Sequence, residues 1–368
     1  LRSLIFVSML LIASFWYWGL HFGVTILALS FLIFFHELGH FLAAKYFGVF
    51  VKTFSIGFGE KIYSKKFGDT TYCLSAIPLG GYVQLKGQDD INPKDKNYDS
   101  DSYNTLSPLK RIIILFAGPF FNILLAFILY IALGFIGVER LAPVVGTILP
   151  NSAALSANIE TNDRILAING VKIEEWDEIK KHISTEPTNI LIKRGDNNIN
   201  ITLTPQIGQS KNIFGETINT PLIGITPSGE TTTIYNSGFN SIKFAYDETI
   251  KASTLIYKGL EKLITGVVPV NQMGGIVAMA DITTKASQIS ISVLLIIVAL
   301  ISVNLGILNL LPLPVLDGGH IVFNLYEMIF KKAVNERVFV TLSYASMALL
   351  FTLMAFTIIN DIVRLAGE

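Results

Sequence analysis

His36-Glu37-Leu38-Gly39-His40 closes an apolar stretch that holds no Lys, Arg, Asp or Glu from residue 3 to residue 35. A metal-hydrolase signature therefore stands where a membrane helix is expected. On a helix His36 and His40 share one face a turn apart, so both imidazoles can reach one metal ion. Glu37 points to the neighbouring flank, where it can take a proton from a water on that metal. Ionisable groups at bilayer depth are costly and mark functional sites, which weighs against a chance match or a satisfied core histidine.

The surrounding chain has 368 residues, 51% of them hydrophobic and 15% charged, with a mean hydropathy of +0.54. That composition describes a membrane protein with a soluble portion. Uncharged runs at 3–35, 112–138, 286–316 and 338–360 are each long enough to cross a hydrocarbon core of ~30 Å, which takes about 20 helical residues. The first run, extended to residue 44, would make a helix of about 60 Å, so a break is expected near Trp16-Tyr17-Trp18-Gly19.

The resulting plan has an extra N-terminal hydrophobic helix, spanning or re-entrant, over 1–20 and a core span carrying the signature over 21–46. A membrane-associated β region and polar loop follow over 47–109, with a second core span over 110–138 and a soluble domain over 141–228. A membrane-surface amphipathic segment covers 229–285, a third core span 286–316, a cytoplasmic connection 317–336 and a last core span 337–362. A cleaved signal peptide over 4–15 is the alternative for the first segment. Arg2 is its only positive charge and no small-x-small site precedes the metal helix, so retention is expected.

Lys45, Lys52, Lys61, Lys65, Lys66, Lys110 and Arg111 cluster between the first two core spans, and Lys331, Lys332 and Arg337 between the last two. Both connections are expected in the cytoplasm. The segment 139–285 then lies outside, in the periplasm of a bacterium with an envelope. A formal net charge of zero argues against a nucleic-acid partner, which requires a basic face. Cys73 is the only cysteine, so no intrachain disulfide is possible and the compartment stays open.

Two histidines do not complete a catalytic zinc site, which takes three protein ligands and an open position. The best source of a third is Asn309-Leu310-Leu311-Pro312-Leu313-Pro314-Val315-Leu316-Asp317-Gly318-Gly319-His320. Two prolines break the helix there, and Asp317 is the first charge after a long apolar run. Irregular backbone at membrane depth is tolerated only where it is buried in protein or lines a cavity. His320, three residues on, is a rival ligand or an outer group that orients the site.

HELGH in the first core span with N-x-x-P-x-P-x-L-D-G in the third resembles the site-2 protease family of intramembrane zinc metalloproteases. Ser302-Val303-Asn304-Leu305-Gly306-Ile307 and an intervening soluble domain resemble its RseP-like branch. The resemblance implies Zn²⁺ as cofactor, His36, His40 and Asp317 as metal ligands, Glu37 as catalytic acid/base, and Asn309 as a group on the substrate backbone near the zinc. It also implies single-span membrane proteins as substrates, of the anti-sigma factor or remnant signal peptide type, cleaved after a first extracytoplasmic cut. The expected setting is the bacterial inner membrane, with the lipid bilayer as the other partner and the zinc nearer the cytoplasmic side.

A transmembrane substrate hides its amides in its own helix, so cleavage requires unwinding and replacement hydrogen-bond partners. Residues 71–76 alternate and are β-rich; Ile77-Pro78-Leu79-Gly80-Gly81-Tyr82-Val83-Gln84-Leu85 reads as a turn and a strand. Its edge is a candidate substrate-binding strip over Pro78, Leu79, Gly80, Gly81, Tyr82 and Val83, by β-addition. Gly57-Phe58-Gly59 and this strip resemble the family's membrane-associated β-structure. The polar segment 88–107 is expected to be a mobile loop. In Ala117-Gly118-Pro119-Phe120-Phe121-Asn122, Gly118 fits close helix packing and Asn122, whose counterpart recurs in the family core, a structural hydrogen bond.

Pro143-Val144-Val145-Gly146, Asn151-Ser152-Ala153-Ala154, Asp163-Arg164-Ile165-Leu166-Ala167-Ile168-Asn169-Gly170 and Trp176 follow the order of a circularly permuted PDZ domain. Asn162 stands where Gly is usual, and Asn also tolerates positive φ. Leu222-Ile223-Gly224-Ile225 resembles the loop that receives a peptide carboxylate. Phe244, Ile250, Leu255, Leu260 and Leu263 recur at helical spacing, as on a membrane-surface helix. Val270-Asn271-Gln272-Met273-Gly274-Gly275-Ile276 resembles a family loop that either clamps substrate or packs.

The expected fold is thus a polytopic α-helical membrane protein with a membrane-associated β-hairpin or sheet and one inserted periplasmic PDZ domain. A catalytically silent, PDZ-bearing scaffold is the rival of another class, opposed by the intact HELGH and Leu316-Asp317-Gly318. A transporter also uses broken helices, but no inverted repeat is evident.

Overall fold

A computed structural model of the chain describes residues 2–88 and 97–367, leaving out the side chains of 2–18, Pro78 and Leu79. Its membrane portion opens with helix α1 (Arg2–Tyr46), strands β1 (Val51–Phe67) and β2 (Thr70–Leu85), and helix α2 (Pro108–Ile136). Between α2 and the later helices come β3 (Val138–Leu141), β4 (Val145–Ile148), α3 (Ala153–Ser156), β5 (Arg164–Ile168), β6 (Val171–Lys172) and α4 (Trp176–His182). They are followed by β7 (Thr188–Arg194), β8 (Asn197–Leu203), β9 (Gln206–Lys211), β10 (Thr217–Leu222), β11 (Ile225–Pro227) and β12 (Thr231–Ile234). The chain ends with α5 (Phe239–Ile264), α6 (Ile276–Ile289), α7 (Ile291–Asn309), α8 (Asp317–Phe330) and α9 (Glu336–Gly367).

Among the described residues, four helical segments are long and apolar enough to cross a membrane: Gly19–Tyr46, Pro108–Ile136, Ile291–Asn309 and Glu336–Gly367. The chain divides into two units, one of residues 1–131, 242–260 and 269–368, the other of 132–241 and 261–268.

In the first unit, α1 is interrupted at Gly19, whose φ of 71° and ψ of −162° are non-helical. Only a residue without Cβ adopts that conformation freely. Leu29 and Leu32 of α1, Leu125 of α2 and Leu294, Val298 and Ile301 of α7 form one buried cluster. It packs the signature-bearing helix against the two helices that supply its partners.

The run 286–316 is not one helix. α6 ends at Ile289, and Ser290 takes an extended backbone and caps α7 with its side chain, accepting from Val293 N at 3.2 Å. Serine offers its hydroxyl to the open N–H groups of the new helix. Thr25 and Thr284 bond at 2.9 Å and His21 and Ser287 at 3.0 Å, which joins α6 to α1.

The loop before α6 is tied to α9. Asp361, fully buried, accepts from Gly275 N at 3.0 Å and Ala278 N at 2.9 Å, and Asn360 donates to Asn271 O. A carboxylate at a helix N-terminus meets both the open N–H groups and the positive end of the dipole. The connection 317–336 likewise is mostly helix, since α8 occupies Asp317–Phe330.

β1 and β2 form a folded hairpin in which 77–85, expected as a turn followed by a strand, is continuous strand throughout. Residues 53–56 face 81–84 on one side and 71–74 on the other, while 61–67 fold back on 70–75. Residues 81–85 are therefore an edge of this sheet among the described residues. Val51 and Leu85 bury with Ala44 of α1 and Ile114 of α2, anchoring that edge beside the two helices.

The expected mobile loop is ordered where described. Over 97–107, Lys86 pairs with Asp99 and Asp101 at 2.9 and 2.6 Å, and Ser102 is fully buried. Local ion pairs and caps hold a polar segment whose composition alone suggested none. Residues 89–96 lie outside the described part.

The second unit has a four-stranded sheet of order β6-β5-β7-β8. Ile165, Ile168, Ile190 and Ile192 are wholly buried in its core, with Trp176 and Ile179 of α4 over them. Asn162 does adopt φ of 71°. Buried Asp163 is held by Arg194 through bonds of 2.8 and 2.7 Å. Loop residue Ile223 is buried in this core, and the carbonyls of Ile223 and Gly224 accept from Ala154 and Leu149 at 2.9 and 2.8 Å.

Candidate metal centre

α1 presents His36 and His40 a turn apart, and the turn after α7 brings Asp317 to them. His36 Nε2 and His40 Nε2 lie 3.1 Å apart, and Asp317 Oδ2 lies 3.3 Å from the first and 3.5 Å from the second. Among the described residues these three form the one group able to hold a metal ion, with all ligand atoms within 4.8 Å of one another. Ligands ~2.0–2.1 Å from a tetrahedral zinc are separated from each other by about 3.3 Å. The triangle therefore fits a single zinc.

The outer bonds decide which ring nitrogens face inward. His40 Nδ1 lies 2.8 Å from the carbonyl of Ile114, which can only accept, so the proton sits on Nδ1 and the Nε2 lone pair is left for a metal. His36 Nδ1 lies 3.2 Å from Asn122 Nδ2, while Asn122 Oδ1 is buried with no partner among the described residues. If the amide N–H donates, the ring proton is forced onto Nε2. Turned by half a rotation, the amide oxygen accepts from Nδ1–H and frees Nε2. Only the second state serves a metal.

The local fold follows from small residues and helix breakers. A Cβ at Gly39 would meet Ala117 O at 2.3 Å, and one at Gly118 would meet His40 Nε2 at 2.3 Å. Both glycines are required for α1 to approach α2 this closely. Pro312 and Pro314 lack the N–H groups to continue α7. Leu316 then turns extended, with φ of −103° and ψ of 160°, and Asp317 begins α8, where an acidic side chain suits the helix N-terminus.

These ligands line a cavity of about 340 Å³ that also takes in Glu37, Asn122 and Asn309. Gly80, Gly81 and Val83 of the proposed strip line it as well. Gly81 is near enough to Glu37 that a Cβ there would sit 3.5 Å from Glu37 Cγ. Tyr82 instead stacks on Phe58, with ring centroids 6.3 Å apart. The side chains of Pro78 and Leu79 lie outside the described residues. His320 is not in the metal group; its ring packs on Phe339 at 5.8 Å. Leu222, Ile223, Gly224 and Ile225 belong to the second unit, at the junction of β10 and β11. The Ile114 carbonyl had no signal in the sequence pattern, because a main-chain acceptor is common to every residue, whereas the small residue at Gly118 did mark a close helix approach.

Fold and site together describe a helical protein whose four long apolar helices suit a multi-pass membrane protein, with a His-His-Asp group able to hold a metal ion beside one of them. Residues 24–353 match the family described as Peptidase family M50. The chain is 54% identical, over all of both sequences, to a Campylobacter jejuni protein named "Putative zinc metalloprotease". It is 38% identical to one of that name from Helicobacter pylori strain J99, covering 94% of this chain and 99% of the other. An Agrobacterium fabrum relative, again of that name, is 32% identical over 93% and 95%. The chain belongs to peptidase family M50, a family of zinc-dependent proteases.

Proposed function

We propose that the chain is an intramembrane endopeptidase that uses His36, His40 and Asp317 to hold zinc and cleaves the transmembrane segments of single-span membrane proteins. The observation that carries this reading is the 3.1–3.5 Å triangle of ligand atoms formed on a helix long and apolar enough to cross a membrane. Zinc, when bound, supplies a Lewis acid that acidifies water and polarises the scissile carbonyl. Glu37 accepts the water proton and returns it to the leaving amide nitrogen. Asn309 holds the substrate backbone, its amide N–H available to the developing oxyanion.

The edge at 80–83 supplies main-chain partners to an unwound substrate segment by β-addition. Its place in the lining of the same cavity supports that role. The substrates are of the anti-sigma factor or remnant signal peptide type, cut second in regulated intramembrane proteolysis. The lysine-rich connections put the zinc nearer the cytoplasmic side of a bacterial inner membrane, and residues 141–228 are one periplasmic PDZ domain of RseP-like type. Its loop at 222–225 receives a peptide end.

Zinc analysis beside cleavage of a model membrane substrate tests the reading. Glu37→Gln is expected to keep zinc and lose turnover by at least ~10²-fold, since the amide keeps the shape but cannot accept the proton. Full turnover by that variant would end the assignment.

A further inference from the structure

We propose that a second cavity beside the metal pocket binds the extended backbone of the substrate's flank, on the side of the two basic connections. The inference rests on the endopeptidase reading. The cavity, about 180 Å³, lies between the segment after the hairpin, α8 and the start of α9. His320, Phe323, Asn324 and Glu327 line it; their spacing of three, four and seven residues puts one face of α8 into it. Gln88 and Val315 line both this cavity and the metal pocket. Val315 is two residues from Asp317, so the shared wall lies within ~7 Å of a proposed ligand along the chain.

Its chemistry selects a neutral, amide-like occupant. Arg111 and Glu327 are already paired at 2.6 Å, and the other carboxylate of the lining, Glu336, is solvent-exposed, so the buried part of the wall offers no uncompensated charge. Among its described buried side-chain atoms, one acceptor and one donor are left unmet. Asn324 is 6% exposed, and its Oδ1 has no hydrogen-bond partner among the described residues. Its Nδ2 donates to His320 O at 2.8 Å, so the oxygen is the open end of that amide. Asn104 Nδ2, also lining the cavity, is buried without a partner among the described residues.

A peptide group presents one N–H and one C=O, the complement of this pair. The rings of Phe323 and Phe339, 5.0 Å apart, give a neighbouring side chain an apolar floor. Buried polar atoms are nearly always satisfied. A polypeptide leaving the metal pocket past Val315 would satisfy both.

Photo-crosslinking on the full chain in vesicles tests this. In the Glu37→Gln background, which retains substrate, a benzophenone amino acid replaces Phe323 or, as a control in the metal pocket, Leu305. The expected result is capture of the substrate from both positions, with the Phe323 product mapped to the flank. Capture from Leu305 alone, or from Phe323 to phospholipid alone, overturns the inference and leaves the proposed function standing. If active-sequence enzyme with bound zinc cleaves no membrane substrate, the proposed function falls and the inference with it.

A kinetic arm uses Asn104→Ala and Asn324→Ala, with zinc content as the check on folding. Wild type is expected to prefer a substrate with its full flank over a truncated one by about five- to tenfold in kcat/KM, through KM. Each variant should lose most of that preference. Retention of the preference by both overturns the proposal, whatever the crosslinks show.

Discussion

The core of the second unit and the metal pocket are built on opposite terms. Around β5 and β7 the interior is isoleucine on isoleucine, with Ile165, Ile168, Ile190 and Ile192 at 0% exposure. Apolar burial suffices there, and the one buried carboxylate, Asp163, is met by Arg194. In the pocket the groups are buried His36, half-buried His40 and Asp317, and the buried Asn122 amide, whose oxygen has no partner among the described residues. Two ring lone pairs and a carboxylate converging within 3.5 Å repel unless a cation lies among them. The first region stabilises the fold, and the second uses stability from the packed helices around it to hold a ligand set.

The sharpest way to break this contrast is at the proposed third ligand. Asp317→Asn should lower zinc affinity by more than about 100-fold, beyond what loss of an outer partner costs, whereas His320→Ala should leave zinc content unchanged. Metal analysis of the two purified variants side by side decides it; the reverse order would move the third ligand to His320.

Next comes a cut in the other region. Ile190→Ala should destabilise the second unit by about 2–5 kcal/mol, from lost burial and the cavity left behind, without changing zinc content. Denaturant unfolding followed at Trp176, with zinc measured in parallel, checks it. Coupled loss of zinc would mean that the two regions are not energetically separate.

Asn122 sits between these cases, being fully buried yet aimed at His36. Asn122→Leu is expected to weaken zinc binding about 10–100-fold, while Asn122→Asp, which keeps an acceptor for Nδ1–H, should retain most of the affinity. Equal losses in both would make the residue a packing element only.

The smallest effect expected is on the chemistry after deletion of residues 141–228. Zinc content and cleavage of a short membrane substrate should persist, with discrimination against bulky ectodomains falling. Cleavage rates for long and short ectodomain substrates, in full-length and deleted enzyme, provide the measure. Loss of both activities with normal zinc would make the domain part of the catalytic machinery.

Much of this was legible in the chain. A four-residue helical spacing puts His36 and His40 together wherever the helix goes, and an uncharged run of twenty residues announces a span. Asn162 at positive φ followed from what an Asn backbone tolerates. Boundaries read from hydropathy alone were less secure. The run 286–316 is uniformly uncharged, and only the capping hydroxyl of Ser290 and the contacts of α6 with α1 and α9 divide it. Segment 97–107 looked unstructured because composition does not register that Lys86 reaches Asp99 and Asp101.

The sequence by itself determined the spans, the two histidines and the acid between them, since periodicity and hydropathy are local properties that each segment carries alone. Tertiary structure decided that Asp317 rather than His320 meets the histidines, that the Ile114 carbonyl and the Asn122 amide face their outer nitrogens, and that Gly80, Gly81 and Val83 line the same cavity. Those are matters of distance between segments far apart in the chain, and distance is set by which surfaces pack, down to whether a Cβ is present at Gly118.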